Sequence, residues 1–116
     1  MASKVRTVLI VEDEPLVRMH EADIVESAGF ATVLAGDAEE ALERLAEGEI
    51  HILLTDVALP GRLNGLELAQ RVRGTWPAVQ IVVASGHVPS NAFADAIFIA
   101  KPFTSGQLLA ALESVR

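Results

Sequence analysis

The apolar residues of this 116-residue chain fall into two alternating patterns. Short, continuous, β-branched runs occupy Val8–Val11, Ile52–Leu54, Ile81–Ala84 and Ile97–Ala100, and Ala31–Ala35 is a weaker run of the same kind. Such runs read as strands covered on both faces. Between them the spacing is helical. Val17, Ile24, Val25 and Ala28 share one face, and so do Ala38, Ala41, Leu42 and Leu45. Gly65, Leu68, Ala69 and Val72 form a third such face, and Leu108, Ala111, Leu112 and Val115 a fourth.

Polar residues punctuate these segments where helices should begin and end. Pro15 suits a first helical position. Asp37 with Glu40, Asn64 with Glu67 and Thr104 with Gln107 each have the spacing of a capping pair. Gly29 and Gly48 fall where helices should stop. Five strands alternating with four helices predict right-handed βαβ units, and hence a doubly wound α/β fold with a parallel sheet covered on both faces. The stretch from Gly86 to Asp95 breaks the alternation. It holds Gly86 and Pro89 and is too short for a full helix with its loops, so one or two turns or an irregular loop are expected. It is also expected to be the least ordered part of the domain.

Length predicts one domain, residues 1–116, with a core large enough to need no staples. There is no cysteine, which excludes disulfides, thiolate metal sites and cysteine nucleophiles. Nine basic residues against sixteen acidic ones give a net charge of −7, which argues against nucleic acid as a partner. The longest apolar runs are five residues, so no membrane span is expected, nor does the N-terminus read as a signal peptide. The expected setting is cytoplasmic.

In an open parallel sheet, ligands bind beyond the carboxyl ends of the strands. Glu12, Asp13 and Glu14 follow the first predicted strand, Asp56 the third, Ser85 the fourth and Lys101 the fifth. Acids from neighbouring strand ends repel one another, and a hard cation with oxygen ligands, above all Mg²⁺, relieves that cost. A lysine and a hydroxyl beside the metal suit the oxygens of a phosphoryl group, and an aspartate there can act as nucleophile. The residues thus point to metal-assisted phosphoryl transfer onto a carboxylate.

The segments VLIVEDE, LLTDVALPG, NGLELAQRVR, IVVASG and IAKPF resemble, in order and over essentially the whole chain, the receiver domain of two-component response regulators. The resemblance implies a flavodoxin-like sheet in the order 2-1-3-4-5. It implies that Asp56 accepts phosphate from a histidine kinase or histidine phosphotransfer protein. Glu12, Asp13 and Asp56 would hold Mg²⁺, with the backbone carbonyl of Ala58 as a further ligand. Ser85 would bond a phosphoryl oxygen, Lys101 would pair with Asp56 or its phosphate, and Phe98 would be the switch aromatic. Ser85 drawn inward would order the stretch after it together with Phe98. Such a domain catalyses only its own phosphorylation and dephosphorylation, and it signals through a downstream protein target. The span from Ser85 to Lys101 is shorter than in chemotaxis-type receivers, which resembles a subset found in stand-alone regulators and hybrid kinases. Ala58 and His87 stand at positions that tune phosphoryl lifetime in the family.

Other functions meet obstacles in the sequence. A pseudo-receiver, keeping the fold as an interaction module, would not need Asp13, Asp56 and Lys101. A dehalogenase-like phosphatase needs a second acid two residues after Asp56, and that position is Ala58. Nucleotide-binding folds carry glycine-rich loops after the first strand, where this chain has acids. Glu14 reads as an ordinary helix-start acid. His20 and His51 read as solvated, and Trp76-Pro77 reads as a helix end with a half-buried aromatic. No effector domain is expected after the last helix.

Overall fold

The computed structural model describes residues 5–86 and 96–115. Strand β1 (Thr7–Val11) is followed by α1 (Pro15–Ser27), β2 (Ala31–Ala35), α2 (Ala38–Glu47), β3 (Ile52–Asp56) and α3 (Gly65–Thr75). The chain continues through β4 (Gln80–Ser85) and β5 (Ile97–Ala100) and ends in α4 (Ser105–Ser114). All five strands pair in parallel in the order β2-β1-β3-β4-β5. Each predicted strand lies within or matches an observed one. The irregular stretch expected after Gly86 falls on residues 87–95, outside the described residues.

The helix starts follow from local hydrogen bonding. Asp37 accepts from the backbone of Glu40, and Asn64 and Thr104 each form a complete capping box with Glu67 and Gln107. These satisfy donors that a helix N-terminus otherwise leaves unpaired. Pro15 opens α1, and Gly29 ends it with φ of +96°, a left-handed conformation that favours glycine.

Strand alternation sends side chains to two cores. Leu9, Val11, Leu53, Ile81 and Val83 meet the buried faces of α2 and α3. Val8, Ile10, Ile52, Leu54 and Val82 meet α1 and α4, with Ile97 and Ile99 beside them. Three charged side chains continue this second stripe. Glu12 follows Val8 and Ile10, Asp56 follows Ile52 and Leu54, and Lys101 follows Ile97 and Ile99, each two residues on.

Two expectations need correction. Val17 and Ala28 do not lie on the buried face of α1; both are exposed, and the buried positions are Glu21, Ala22 and Val25. The reason is that the stripe under the start of α1 has already turned polar at Glu12, so no apolar sheet surface remains for Val17 to cover. His51 is not simply solvated. Its Nδ1 accepts the Thr7 backbone N–H at 2.9 Å, which fixes the proton on Nε2 in the neutral ring and ties the start of β1 to that of β3. His20 is exposed and Trp76 caps α3 half-buried, as expected.

The start of α3 is pressed onto the end of β3. The Gly65 N–H donates to the Val57 carbonyl at 2.8 Å, and a Cβ on Gly65 would lie 1.7 Å from the Asp56 carbonyl oxygen. Any side chain there must push the Asp56 backbone aside. Gly65→Ala is expected to destabilise the fold by about 3 kcal/mol, the upper part of the usual overpacking range. Urea unfolding of the purified variant measures it.

Candidate functional site

The register brings the strand ends level. Val11 pairs with Thr55, Asp56 with Ala84 and Ser85 with Ala100, so the next residues, Glu12 and Lys101, arrive on the same edge as Asp56 and Ser85. Backbone bonds continue past the strands, from Val57 to the Ala84 carbonyl and from Lys101 to the Ser85 carbonyl. Asp56, Val57, Ala58, Ala84, Ser85, Gly86 and Lys101 line a cavity of about 150 Å³ at this edge.

The Lys101 ammonium donates to both carboxylate oxygens of Asp56, each at 3.1 Å. It also stands 3.9 Å from Glu12 Oε1. Asp56 and Glu12 are buried, while Asp13 is exposed at the rim. One carboxylate oxygen from each of Glu12, Asp13 and Asp56 lies within 4.8 Å of the others. Burial raises the Glu12 carboxyl above its ordinary pKa, and the neighbouring Asp56 carboxylate adds to the rise. Burial works to lower the Lys101 pKa, but the Asp56 bond and the charges of Asp56, Glu12 and Glu21 outweigh it and the net shift is upward.

A divalent cation fits these groups. Glu12 Oε1 is buried and without a hydrogen-bond partner, while Glu12 Oε2 accepts the Glu14 backbone N–H at 2.9 Å. An orphaned buried oxygen beside two further carboxylates is a hard-donor set suited to Mg²⁺. The structure thus brings together Glu12, Asp13, Asp56, Ser85, Ala58 and Lys101. Phe98 is placed apart from them, partly buried against the α2–α3 core. Glu14 is the N-cap residue of α1 and makes no side-chain cap bond.

Sequence reasoning missed two residues of α1. Arg18 donates from Nη1 to the Glu12 carbonyl at 2.7 Å. Glu21, one turn further, is 4% exposed. It lies on the helix face that covers the stripe ending in Glu12, Asp56 and Lys101. Burial pushes its pKa up to about 7, and the charges of Asp56 and Glu12 add to the effect against the pull of Lys101. An acid at a position whose neighbours Ala22 and Val25 are core was the available signal.

The family profile described as response regulator receiver domain matches residues 8–113. The chain belongs to that family. This receiver domain is 36% identical over 120 residues to the nitrogen assimilation regulatory protein NtrX of Azorhizobium caulinodans, covering 94% of this chain and 26% of the relative. It is 37% identical over 110 residues to the sensor kinase CckA of Brucella abortus, covering 88% of this chain and 12% of the relative. It therefore spans a third or less of these curated relatives. A response regulator of Thermotoga maritima, solved in complex with Mg²⁺ and BeF, superposes with a TM-score of 0.86 at 23% identity, over 94% of this chain and 97% of that one. The receiver fold, with its sheet order 2-1-3-4-5, is thus that of two-component response regulators. Receiver domains work with histidine kinases and downstream targets. No helix among the described residues is long and apolar enough to cross a membrane.

Glu21 has a measurable consequence. A carboxyl with a higher pKa folded than unfolded holds its proton more tightly in the folded state. Its stabilising contribution is present below about pH 4.5 and is lost as the pH rises through about 7. Glu21→Gln is therefore expected to match the native stability near pH 5 and to exceed it at pH 8, by on the order of 2 kcal/mol. Urea unfolding of both proteins at the two pH values checks this.

Proposed function

We propose that this receiver domain, comprising residues 1–116 as one unit, takes a phosphoryl group onto Asp56 in a Mg²⁺-dependent step and acts as a signalling switch or relay. The observation that carries the reading is the symmetric Asp56–Lys101 pair beside an orphaned Glu12 oxygen. Glu12, Asp13 and Asp56 would hold the metal, with the Ala58 carbonyl as a further ligand. The bound metal supplies positive charge that offsets the phosphoryl oxygens and the crowded acids.

The donor is a phosphohistidine on a histidine kinase or a histidine phosphotransfer protein. An Asp56 oxygen attacks phosphorus, the phosphorus–nitrogen bond breaks, and its electron pair stays on the imidazole. Lys101 already holds both Asp56 oxygens; it follows the new phosphate and stabilises its charge. Ser85, buried at the end of β4 on the cavity wall, would bond a phosphoryl oxygen. Phe98 on β5 is the switch aromatic whose inward movement reports the modification. Leu16 and Met19, 82% and 58% exposed at the start of α1, give the donor protein an apolar surface beside the pocket. The Mg²⁺–BeF complex of the Thermotoga maritima relative supports the same ligand chemistry here. An interaction module without phosphotransfer has no use for a paired lysine and three converging carboxyls, and nothing in the site favours it. The setting we propose is cytoplasmic, with output through a downstream protein.

Two outcomes are expected. Incubation with a phosphohistidine donor and Mg²⁺ should add one phosphoryl mass to the native chain and none to Asp56→Asn, read by intact-mass spectrometry. Label on the variant equal to the native would sink the assignment of the nucleophile. Asp13→Ala should raise the melting temperature in EDTA by a few degrees, because it thins the like charges, and should abolish the Mg²⁺-dependent rise. A lower melting temperature in EDTA would show the acids to be satisfied without metal.

A further inference from the structure

Glu12 is held at nearly every polar atom. Its backbone N–H donates to the Ala35 carbonyl at 3.1 Å, which ties it to the end of β2. Its Oε2 accepts from the Glu14 backbone. Its carbonyl accepts the Arg18 guanidinium at 2.7 Å, from α1. Only Oε1 is left without a hydrogen bond, and it is the oxygen that stands toward Lys101. The three bonds converge on the short turn between β1 and α1 that also carries Asp13.

The Arg18 bond is the only one of the three made by a side chain from outside that turn. Arg18 is half-buried and passes over Gly36, with Nη1 3.4 Å from where a Cβ on Gly36 would stand. Gly36 is itself anchored, its N–H donating to Glu40 Oε1 at 2.7 Å, while Glu40 Oε2 takes Arg44 at 3.0 Å. Arg18 therefore reaches the β1–α1 turn from α1 while lying beside the β2–α2 turn. Its charge runs the wrong way for a simple electrostatic aid, since a guanidinium near a cation pocket repels the cation. Its contribution has to be geometric.

We propose that Arg18 is a positioning residue of the metal pocket: by clamping the Glu12 carbonyl it fixes the spacing of the Glu12 and Asp13 carboxylates and so sets the pocket's preference for a small divalent cation. The proposal rests on the metal-dependent reading of the site given above. Mg²⁺ demands near-ideal geometry at short distances, whereas Ca²⁺ tolerates varied and longer coordination. A slackened turn therefore penalises Mg²⁺ more than Ca²⁺.

The test is calorimetric titration of the native chain, Arg18→Gln and Arg18→Lys with Mg²⁺ and, separately, with Ca²⁺. Melting in EDTA serves as the control for folding. The native chain should bind Mg²⁺. Both variants should lose about tenfold in Mg²⁺ affinity, the usual scale for groups that orient metal ligands. Their Ca²⁺ affinity should change much less, so the ratio of Mg²⁺ to Ca²⁺ affinity falls. Arg18→Lys keeps the charge, so its loss of Mg²⁺ separates geometry from electrostatics. Unchanged or tighter Mg²⁺ binding by Arg18→Gln overturns the proposal. An equal loss of both cations together with a lowered melting temperature also overturns it, since that marks a general structural role. A native chain that takes up no Mg²⁺ overturns the metal-dependent reading itself, and the role of Arg18 with it.

Discussion

The Lys101 ammonium, shared between both oxygens of Asp56 and close to Glu12, is the interaction on which the site depends. Without it, two buried carboxyls and a third at the rim would stand close together with no cation bonded to their oxygens among the described residues. One lysine does not neutralise three acids. Burial first, and the neighbouring acids after it, raise both the Glu12 and the Glu21 carboxyls. The pocket is thus built with excess negative charge, the condition in which a divalent cation and a phosphoryl group gain most from arriving together.

The sheet delivers these groups by register and alternation. Glu12, Asp56 and Lys101 each take the first polar position after an apolar stripe on the α1–α4 side, and parallel pairing keeps the stripes in step. The backbone then closes in around them. Gly65 lets α3 begin against the Asp56 carbonyl, and Arg18 reaches back from α1 to the Glu12 carbonyl. Both are contacts to main-chain carbonyls rather than to reactive side chains, so they place the reactive groups without consuming them.

Helix α1 serves two purposes at once. Its second half buries Ala22 and Val25 in the core, while its start leaves Leu16, Val17 and Met19 in solvent beside the pocket. The division occurs where the sheet surface beneath it changes from Ile10 to Glu12. A helix that must cover a polar strand end cannot be apolar along its whole inner face. Arg18 and Glu21 occupy that inner face at the level of the site.

The elements, their parallel arrangement and the candidate set of Glu12, Asp13, Asp56, Ser85 and Lys101 were legible in the amino-acid sequence alone. Unbroken apolar runs, capping pairs and residues at strand ends are local signals, legible one segment at a time. That Val17 is exposed and Glu21 buried, that His51 accepts a backbone N–H from β1, and that Arg18 bonds the Glu12 carbonyl emerges only when the elements pack together. Helical spacing specifies which residues share a face, but not how far along the helix the partner surface stays apolar. Hydrogen bonds between residues distant in the chain have no sequence period at all, because they depend on where two separate turns come to rest against each other.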